Sequence, residues 1–99
     1  MGAYVYILKC SDGSYYVGSA TGDDLGIRIA DHQAGRYGGY TATRRPVMLI
    51  WSDHFDRITD AITAERKIKG WSRAKKEALA RGDWQRIRVL AKRRGARSK

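Results

Sequence analysis

Residues 4–19 have the sequence YVYILKCSDGSYYVGS, in which two runs rich in aromatic and β-branched residues flank a Ser-Asp-Gly segment. Such runs on either side of turn residues predict a β-hairpin with strands 4–10 and 14–19. A two-residue Asp-Gly turn would place Tyr6 and Tyr16 on opposite faces. We favour a three-residue turn with its glycine in the left-handed conformation. Both tyrosines then share a face, with Tyr6 opposite Gly18, which has no side chain.

The segment after the hairpin shows helical spacing. Leu25, Arg28, Ile29 and His32 recur at i, i+3, i+4 and i+7, which predicts one helix face. Asp23 or Asp24 is placed to cap this helix at its N-terminus. A glycine-rich loop over 35–43 then leads through Pro46 to a third predicted strand, 47–52.

The remainder of the chain is predicted to be helical. Thr59 is a candidate N-cap for a helix ending near Lys69, Ser72 for a helix ending at Gly82, and Asp83 for a last helix. The element order ββαβαα predicts an α/β fold of the α+β type, a three-stranded antiparallel sheet flanked by helices. With 99 residues, we expect a single domain over 1–90 and a basic, disordered tail over 91–99.

Charge is distributed unevenly along the chain, whose formal net charge is +10. Residues 1–65 carry a net charge of −2, whereas residues 66–99 carry +12. A basic segment supplies affinity for phosphates, so the expected partner is a polyanion. The alternative for the basic third is a solvated helix face.

Other features restrict the class of protein. The longest apolar run, 47–51, is too short to cross a bilayer, so we expect no membrane association. The single cysteine, Cys10, cannot form an internal disulfide, and no Cys/His cluster offers a zinc site. Because no signal-peptide pattern is present either, we expect a cytoplasmic protein, and we expect it to be a monomer.

Two predicted helices carry an ionisable residue on the face that should be buried. These residues are Arg28 and Glu65. Burying an unpaired charge costs several kcal/mol. A salt bridge between the two would explain both, but it would not explain the tyrosines and the histidine predicted nearby. A site that cleaves phosphodiesters needs a cation, a carboxylate for a divalent metal and a base that activates water.

Four short segments of the sequence resemble a known family. Tyr4-Val5-Tyr6, Tyr16-Val17-Gly18, Arg28-Ile29-Ala30-Asp31-His32 and the segment 64–69 occur in the order found in the GIY-YIG nuclease domain. The resemblance covers about residues 3–84 and is greatest to small stand-alone bacterial members. It implies a metal-dependent DNA endonuclease. Tyr4 stands where the family name has glycine, and the chain contains no asparagine, a residue that many larger relatives place near the site.

The resemblance also implies roles for individual residues. Glu65 would bind a single Mg²⁺ or Mn²⁺, and Arg28 the scissile phosphate. Tyr6 and Tyr16 would line the pocket, one of them activating water, and His32 would assist by hydrogen bonding or proton transfer. Tyr40 is a further candidate for the site or for stacking on a base.

Basic residues after the metal ligand are expected to contact nucleic acid. With Tyr40, the expected contacts are Lys67, Lys69, Arg73, Lys75 and Lys76. The substrate is expected to be DNA recognised by shape, such as branched or damaged DNA in repair or recombination, with RNA left open. Two alternatives are a nucleic-acid-binding module with a vestigial nuclease site and a domain that binds acidic proteins.

Overall fold

The computed structural model describes residues 2–21, 25–36 and 39–89. The described residues fall into two compact units, which are divided between Lys69 and Gly70. The predicted tail, 91–99, and the predicted N-caps Asp23 and Asp24 lie outside the described residues. The prediction of a single domain over 1–90 stays a prediction.

The first unit contains a three-stranded antiparallel sheet in the order β2-β1-β3. Its elements are β1 (Ala3–Lys9), β2 (Tyr15–Thr21), α1 (Leu25–Gln33), α2 (Gly39–Ala42), β3 (Met48–Phe55) and α3 (Ile58–Lys69). This arrangement confirms the predicted fold class. The short helix α2 lies within the segment predicted to be a glycine-rich loop.

The β1–β2 hairpin has the predicted register. Gly13 has a φ of 84°, and the amide of Cys10 donates to the carbonyl of Ser14 at 2.8 Å. Tyr6 therefore lies opposite Gly18. A glycine is needed in the turn because side chains strongly disfavour positive φ.

The sheet is covered on both faces. Tyr6 and Leu8 belong to a buried cluster to which Leu25 and Ile29 of α1 add partly buried side chains. Alternation along the strands turns residues such as Ser19 to the opposite face, which α3 covers. The fold thus places α1 and α3 on opposite sides of the strands that carry the predicted tyrosines.

Several predicted boundaries were wrong. The hairpin strands, predicted as 4–10 and 14–19, are Ala3–Lys9 and Tyr15–Thr21, and β3 begins at Met48 and not at residue 47. β3 runs to Phe55, beyond the predicted end at residue 52, because its last residues pair with the start of β1. His54 therefore lies in this strand, opposite Tyr4. Helix α3 begins at Ile58, before the predicted cap Thr59, and the carbonyl of Arg57 accepts from the amide of Ala61.

The second unit contains α4, Arg73–Arg81, with both predicted caps. The Ser72 hydroxyl accepts a hydrogen bond from the amide of Lys75, and Gly82 ends the helix with a φ of 71°. A further helical segment covers 84–89, where the Asp83 carboxylate accepts from the amide of Arg86 as predicted for a cap. In the described parts of the chain, no helix has both the length and the apolar character to cross a membrane.

Candidate active site

Three buried side chains from three elements form a continuous chain of polar contacts. The Tyr6 hydroxyl oxygen on β1 lies 2.9 Å from Nε2 of His32 on α1. Nδ1 of the same ring lies 2.9 Å from Oγ1 of Thr41 on α2. The three residues are 1%, 3% and 2% exposed. Both ring nitrogens of His32 thus have a hydrogen-bonding partner in a region from which water is largely excluded.

Gly18 makes room for the Tyr6 hydroxyl. A Cβ atom at position 18 would lie 2.7 Å from the hydroxyl oxygen of Tyr6 and 2.9 Å from a ring carbon of Tyr16. Contacts this short do not occur between a real Cβ and its neighbours, so any other residue would displace a tyrosine. The glycine at this position is therefore required by close packing.

Tyr16 extends the cluster toward the surface. Its half-buried ring lies 5.2 Å from the His32 ring and 6.5 Å from the Tyr6 ring, centroid to centroid. On its other side it stacks with Tyr40 at 6.1 Å. Tyr6, Tyr16, His32 and Tyr40, four of the residues predicted from sequence, therefore lie together.

Arg44 covers the Tyr40 ring. Its guanidinium carbon lies 3.8 Å from the ring centroid, and Nε lies 3.0 Å from a carboxylate oxygen of Asp12 in the hairpin turn. The guanidinium also donates to the carbonyl of Tyr40 at 2.9 Å. These contacts hold Tyr40 between Tyr16 and Arg44, so only part of the ring is open to a base.

Burial keeps His32 neutral at physiological pH. It lowers the pKa of the imidazole, the positive charge of Arg28 lowers it further, and the nearby Asp31 carboxylate offsets part of this shift. Arg28 itself is half-buried, one turn before His32 on α1. Arg28, the predicted phosphate ligand, is therefore close enough to influence the His32 ring electrostatically.

Glu65 lies on the other side of β2. Its carboxylate accepts a hydrogen bond from the Ser19 hydroxyl at 2.8 Å and pairs with the Lys69 ammonium at 2.8 Å. Burial raises the pKa of Glu65, but the bonds from Lys69 and Ser19 and the charge of Lys69 outweigh burial and hold it below its usual range. Gly18 and Ser19 are consecutive on the edge strand β2, so they face opposite sides of the sheet. The Glu65 carboxylate contacts Ser19 on one side, and the tyrosines lie on the other side.

The donor set suits a weakly ligated divalent ion. Mg²⁺ keeps several waters and is often held by one or two carboxylates. The Glu65 side chain is ionised and 17% exposed, which fits such an ion, although Lys69 occupies one of its oxygens. No group of three or more acidic, His or Cys side chains suited to a metal exists within 2–21, 25–36 and 39–89.

The predicted nucleic-acid contacts have different environments. In the first unit Lys67 is exposed on α3, whereas Lys69 pairs with Glu65. In the second unit Arg73 is exposed at the start of α4. Lys75 is only 7% exposed, with its ammonium 4.5 Å from the Trp71 ring centroid.

Lys76, the last of the predicted contacts, is half-buried, and burial lowers the pKa of its ammonium. The contact of Lys75 with an indole makes it a weaker candidate for phosphate binding than Arg73.

Sequence reasoning missed three residues that shape the site. These are Ser19, Thr41 and Arg44, which contact Glu65, His32 and Tyr40 respectively. The alternation of side chains along β2 could have predicted that Ser19 faces the side of the sheet that a helix covers. No local sequence pattern places Thr41 near His32 or Arg44 near Tyr40.

Comparison with known proteins gives one consistent result. A family model described as the GIY-YIG catalytic domain matches residues 2–78. A UPF0213 protein of Halobacterium salinarum is 46% identical over 76 residues, which is 77% of this chain and 96% of that protein. A UPF0213 protein of Staphylococcus saprophyticus is 45% identical over 76 residues, which is 77% of this chain and 90% of that protein.

A solved structure agrees with these relatives. The solution NMR structure of a UPF0213 protein from Bacillus halodurans is 42% identical in sequence and has a TM-score of 0.52. The match covers 80% of this chain and 82% of that chain.

Proposed function

The chain belongs to the GIY-YIG family, a nuclease-type family, and from that premise we propose that it is a metal-dependent endonuclease that hydrolyses phosphodiester bonds in DNA. The observation that supports this most is the buried contact of Tyr6 with His32, with Tyr16 beside it and the ionised Glu65 across β2. Neutral proton acceptors and a carboxylate are the groups that hydrolysis of a phosphodiester requires.

The proposed reaction assigns one task to each group. A water oxygen forms a new bond to phosphorus, and the bond to the leaving oxygen breaks with its electron pair. The leaving oxygen then takes up a proton from solvent water. The tyrosine pair and His32 receive the proton that the water loses, and the Arg28 guanidinium offsets charge on the phosphate. A phenol has an ordinary pKa near 10, so a tyrosine in this role needs a group that accepts its proton, and Nε2 of His32 lies 2.9 Å from the Tyr6 hydroxyl oxygen.

We propose that Glu65 holds one Mg²⁺ or Mn²⁺ ion. When bound, the ion would supply positive charge against the developing negative charge and lower the pKa of a water. The Ser19 hydroxyl fixes one carboxylate oxygen, and Lys69 would have to yield the other. The Lys69 ammonium would then be available to contact a phosphate.

We propose DNA recognised by shape, branched or damaged, as the substrate of a cytoplasmic monomer in repair or recombination. The net charge of +12 over 66–99 supports a polyanionic partner. Tyr40, Lys67, Lys69, Arg73, Lys75 and Lys76 remain the proposed contacts. RNA would satisfy the same charges.

A plasmid assay tests the proposal. Purified wild type should nick supercoiled plasmid, or cut a branched oligonucleotide, with Mg²⁺ or Mn²⁺ but not with EDTA. Glu65→Gln should reduce cleavage by at least about a hundredfold while DNA binding is retained. Asp60→Asn makes the same charge change at an exposed position on α3 and should cut normally. Cleavage by Glu65→Gln equal to wild type would refute the role of Glu65.

A second candidate function is a nucleic-acid-binding module with a vestigial site. The ion pair between Lys69 and Glu65 favours it, because the carboxylate is already neutralised by a side chain. This function predicts salt-dependent DNA binding without nicking under any divalent metal. The same assay therefore separates the two functions.

A further inference from the structure

Thr41 is a polar residue in the core to which neither charge nor family resemblance gave a role. Its side chain lies on the short helix α2 and is 2% exposed, with Oγ1 2.9 Å from Nδ1 of His32. The other ring nitrogen, Nε2, faces the hydroxyl of Tyr6 at the same distance. His32 is thus held between two hydroxyl groups on opposite sides of its ring.

A neutral imidazole between two hydroxyls has two possible arrangements. One ring nitrogen carries a hydrogen and donates, while the other accepts. Either Nδ1–H donates to Thr41 and Nε2 accepts from Tyr6, or Nε2–H donates to Tyr6 and Nδ1 accepts from Thr41. The hydrogen bond made by one nitrogen determines the role of the other.

The acidity of the two hydroxyls selects between these arrangements. A phenol has a pKa near 10, far below that of an aliphatic alcohol, so the Tyr6 hydroxyl is the better donor. The threonine oxygen is the better acceptor, since its lone pairs are not delocalised into a ring. Both preferences place the hydrogen on Nδ1 and leave Nε2 as an acceptor.

We propose that Thr41 is a positioning residue that fixes the Nδ1–H tautomer of His32 and so directs the Tyr6 hydroxyl proton toward Nε2. This inference rests on the proposed function, because it supplies the route by which a tyrosine in the site can lose its proton. It also distinguishes the two tyrosines, since Tyr6 has the direct contact with Nε2 and Tyr16 packs against the ring. When Tyr6 loses its proton, the His32 imidazolium keeps its Nδ1–H bond to Thr41.

The surroundings of His32 are consistent with a ring that starts neutral. Tyr6 faces it from β1, Tyr16 from β2 and Thr41 from α2. From its own helix, the charge of Arg28 opposes protonation and that of Asp31 favours it. The ring can therefore accept a proton in a reaction but does not hold one beforehand.

The tautomer can be measured without any activity. Long-range ¹H–¹⁵N correlation spectra above pH 8 distinguish Nδ1–H from Nε2–H rings. The chain has two histidines, so His54→Gln assigns the signals. Wild type and Thr41→Ser should both show His32 as Nδ1–H. Thr41→Val, which keeps the shape but loses the hydroxyl, should shift His32 to Nε2–H.

Cleavage then measures the consequence. The kcat of Thr41→Val should fall by about a hundredfold, the scale of a lost general base, and Thr41→Ser should restore it. An Nε2–H ring in the wild type would overturn the proposal, as would an Nδ1–H ring in Thr41→Val. Should Thr41→Val fail to fold, the wild-type spectrum alone still decides. Absence of nicking by the wild type would refute the proposed function and leave the tautomer result intact.

Discussion

The two sides of β2 stabilise buried polar groups in different ways. On one side Tyr6, His32 and Thr41 are almost fully buried and satisfy one another as neutral groups. On the other side Glu65 is charged, partly exposed and balanced by Lys69. Neutral hydrogen bonds tolerate deep burial, whereas a charge requires a partner or solvent.

This difference indicates what each side can do. A neutral buried chain is rigid and sensitive to pH, because protonating its histidine in the core is costly. An ion pair in which one member is largely exposed, as Lys69 is, can exchange partners because solvent can replace that member. The first arrangement suits positioning of a proton acceptor, and the second suits a carboxylate that must accept a metal.

Substitution of Gly18 should have the largest effect on the free energy of unfolding, because it disturbs the packing of Tyr6 and Tyr16. In Gly18→Ala the added Cβ would lie 2.7 Å from the Tyr6 hydroxyl, so one of the tyrosines must move. We expect a loss of about 1–3 kcal/mol in the free energy of unfolding, as for an overpacked core. Urea denaturation measures the loss, and the His32 ring signals should change in the same sample.

The next residue on the strand provides the matched control. Ser19→Ala removes the hydrogen bond to Glu65 on the other face and should cost about 1 kcal/mol, while the His32 signals remain as in the wild type. If Gly18→Ala were as stable as the wild type, the close packing at Gly18 would not be a constraint.

The sequence predicted the half of the site that depends on local pattern. The turn glycine set the hairpin register, so the pairing of Tyr6 with Gly18 could be predicted and is confirmed. The helical spacing likewise placed His32 on the inward face of α1. Both inferences needed only strand alternation and helix periodicity.

The rest depended on contacts between distant segments. Thr41 reaches His32 only because α2 lies against α1, and no periodicity in the sequence places these two helices together. The end of β3 was missed because polar residues such as Asp53 and His54 are poor strand formers. Pairing with β1 overrides that preference on an edge strand.

A pH titration tests the buried chain of Tyr6, His32 and Thr41. Since burial lowers the pKa of His32 in the folded state, the unfolded chain binds more protons as pH falls below about 6.5. The free energy of unfolding should therefore be highest above that pH and decrease below it, by at most about 1.4 kcal/mol per pH unit for one proton.

Replacement of the histidine tests this origin. His32→Gln should lose the decrease below pH 6.5, whereas His54→Gln, at an exposed ring, should retain it. Denaturation curves at pH 5.0 to 8.0 measure both variants. An unchanged pH dependence in His32→Gln would assign the decrease to another group.

The smallest expected effect is a change in metal affinity at Glu65, for which Lys69 and a metal ion would compete. Lys69→Met removes a positive charge 2.8 Å from the carboxylate, so it should strengthen Mn²⁺ binding. The expected gain is up to about fivefold, which corresponds to the 1 kcal/mol of a surface ion pair. Electron paramagnetic resonance of free Mn²⁺ during a titration measures it.

Lys67→Met, an exposed position two residues away on α3, removes the same charge where it cannot face Glu65 and should leave affinity nearly unchanged. Equal gains in both variants would mean that only net charge matters. Weaker binding in Lys69→Met would mean that the ion pair orients the carboxylate for the metal.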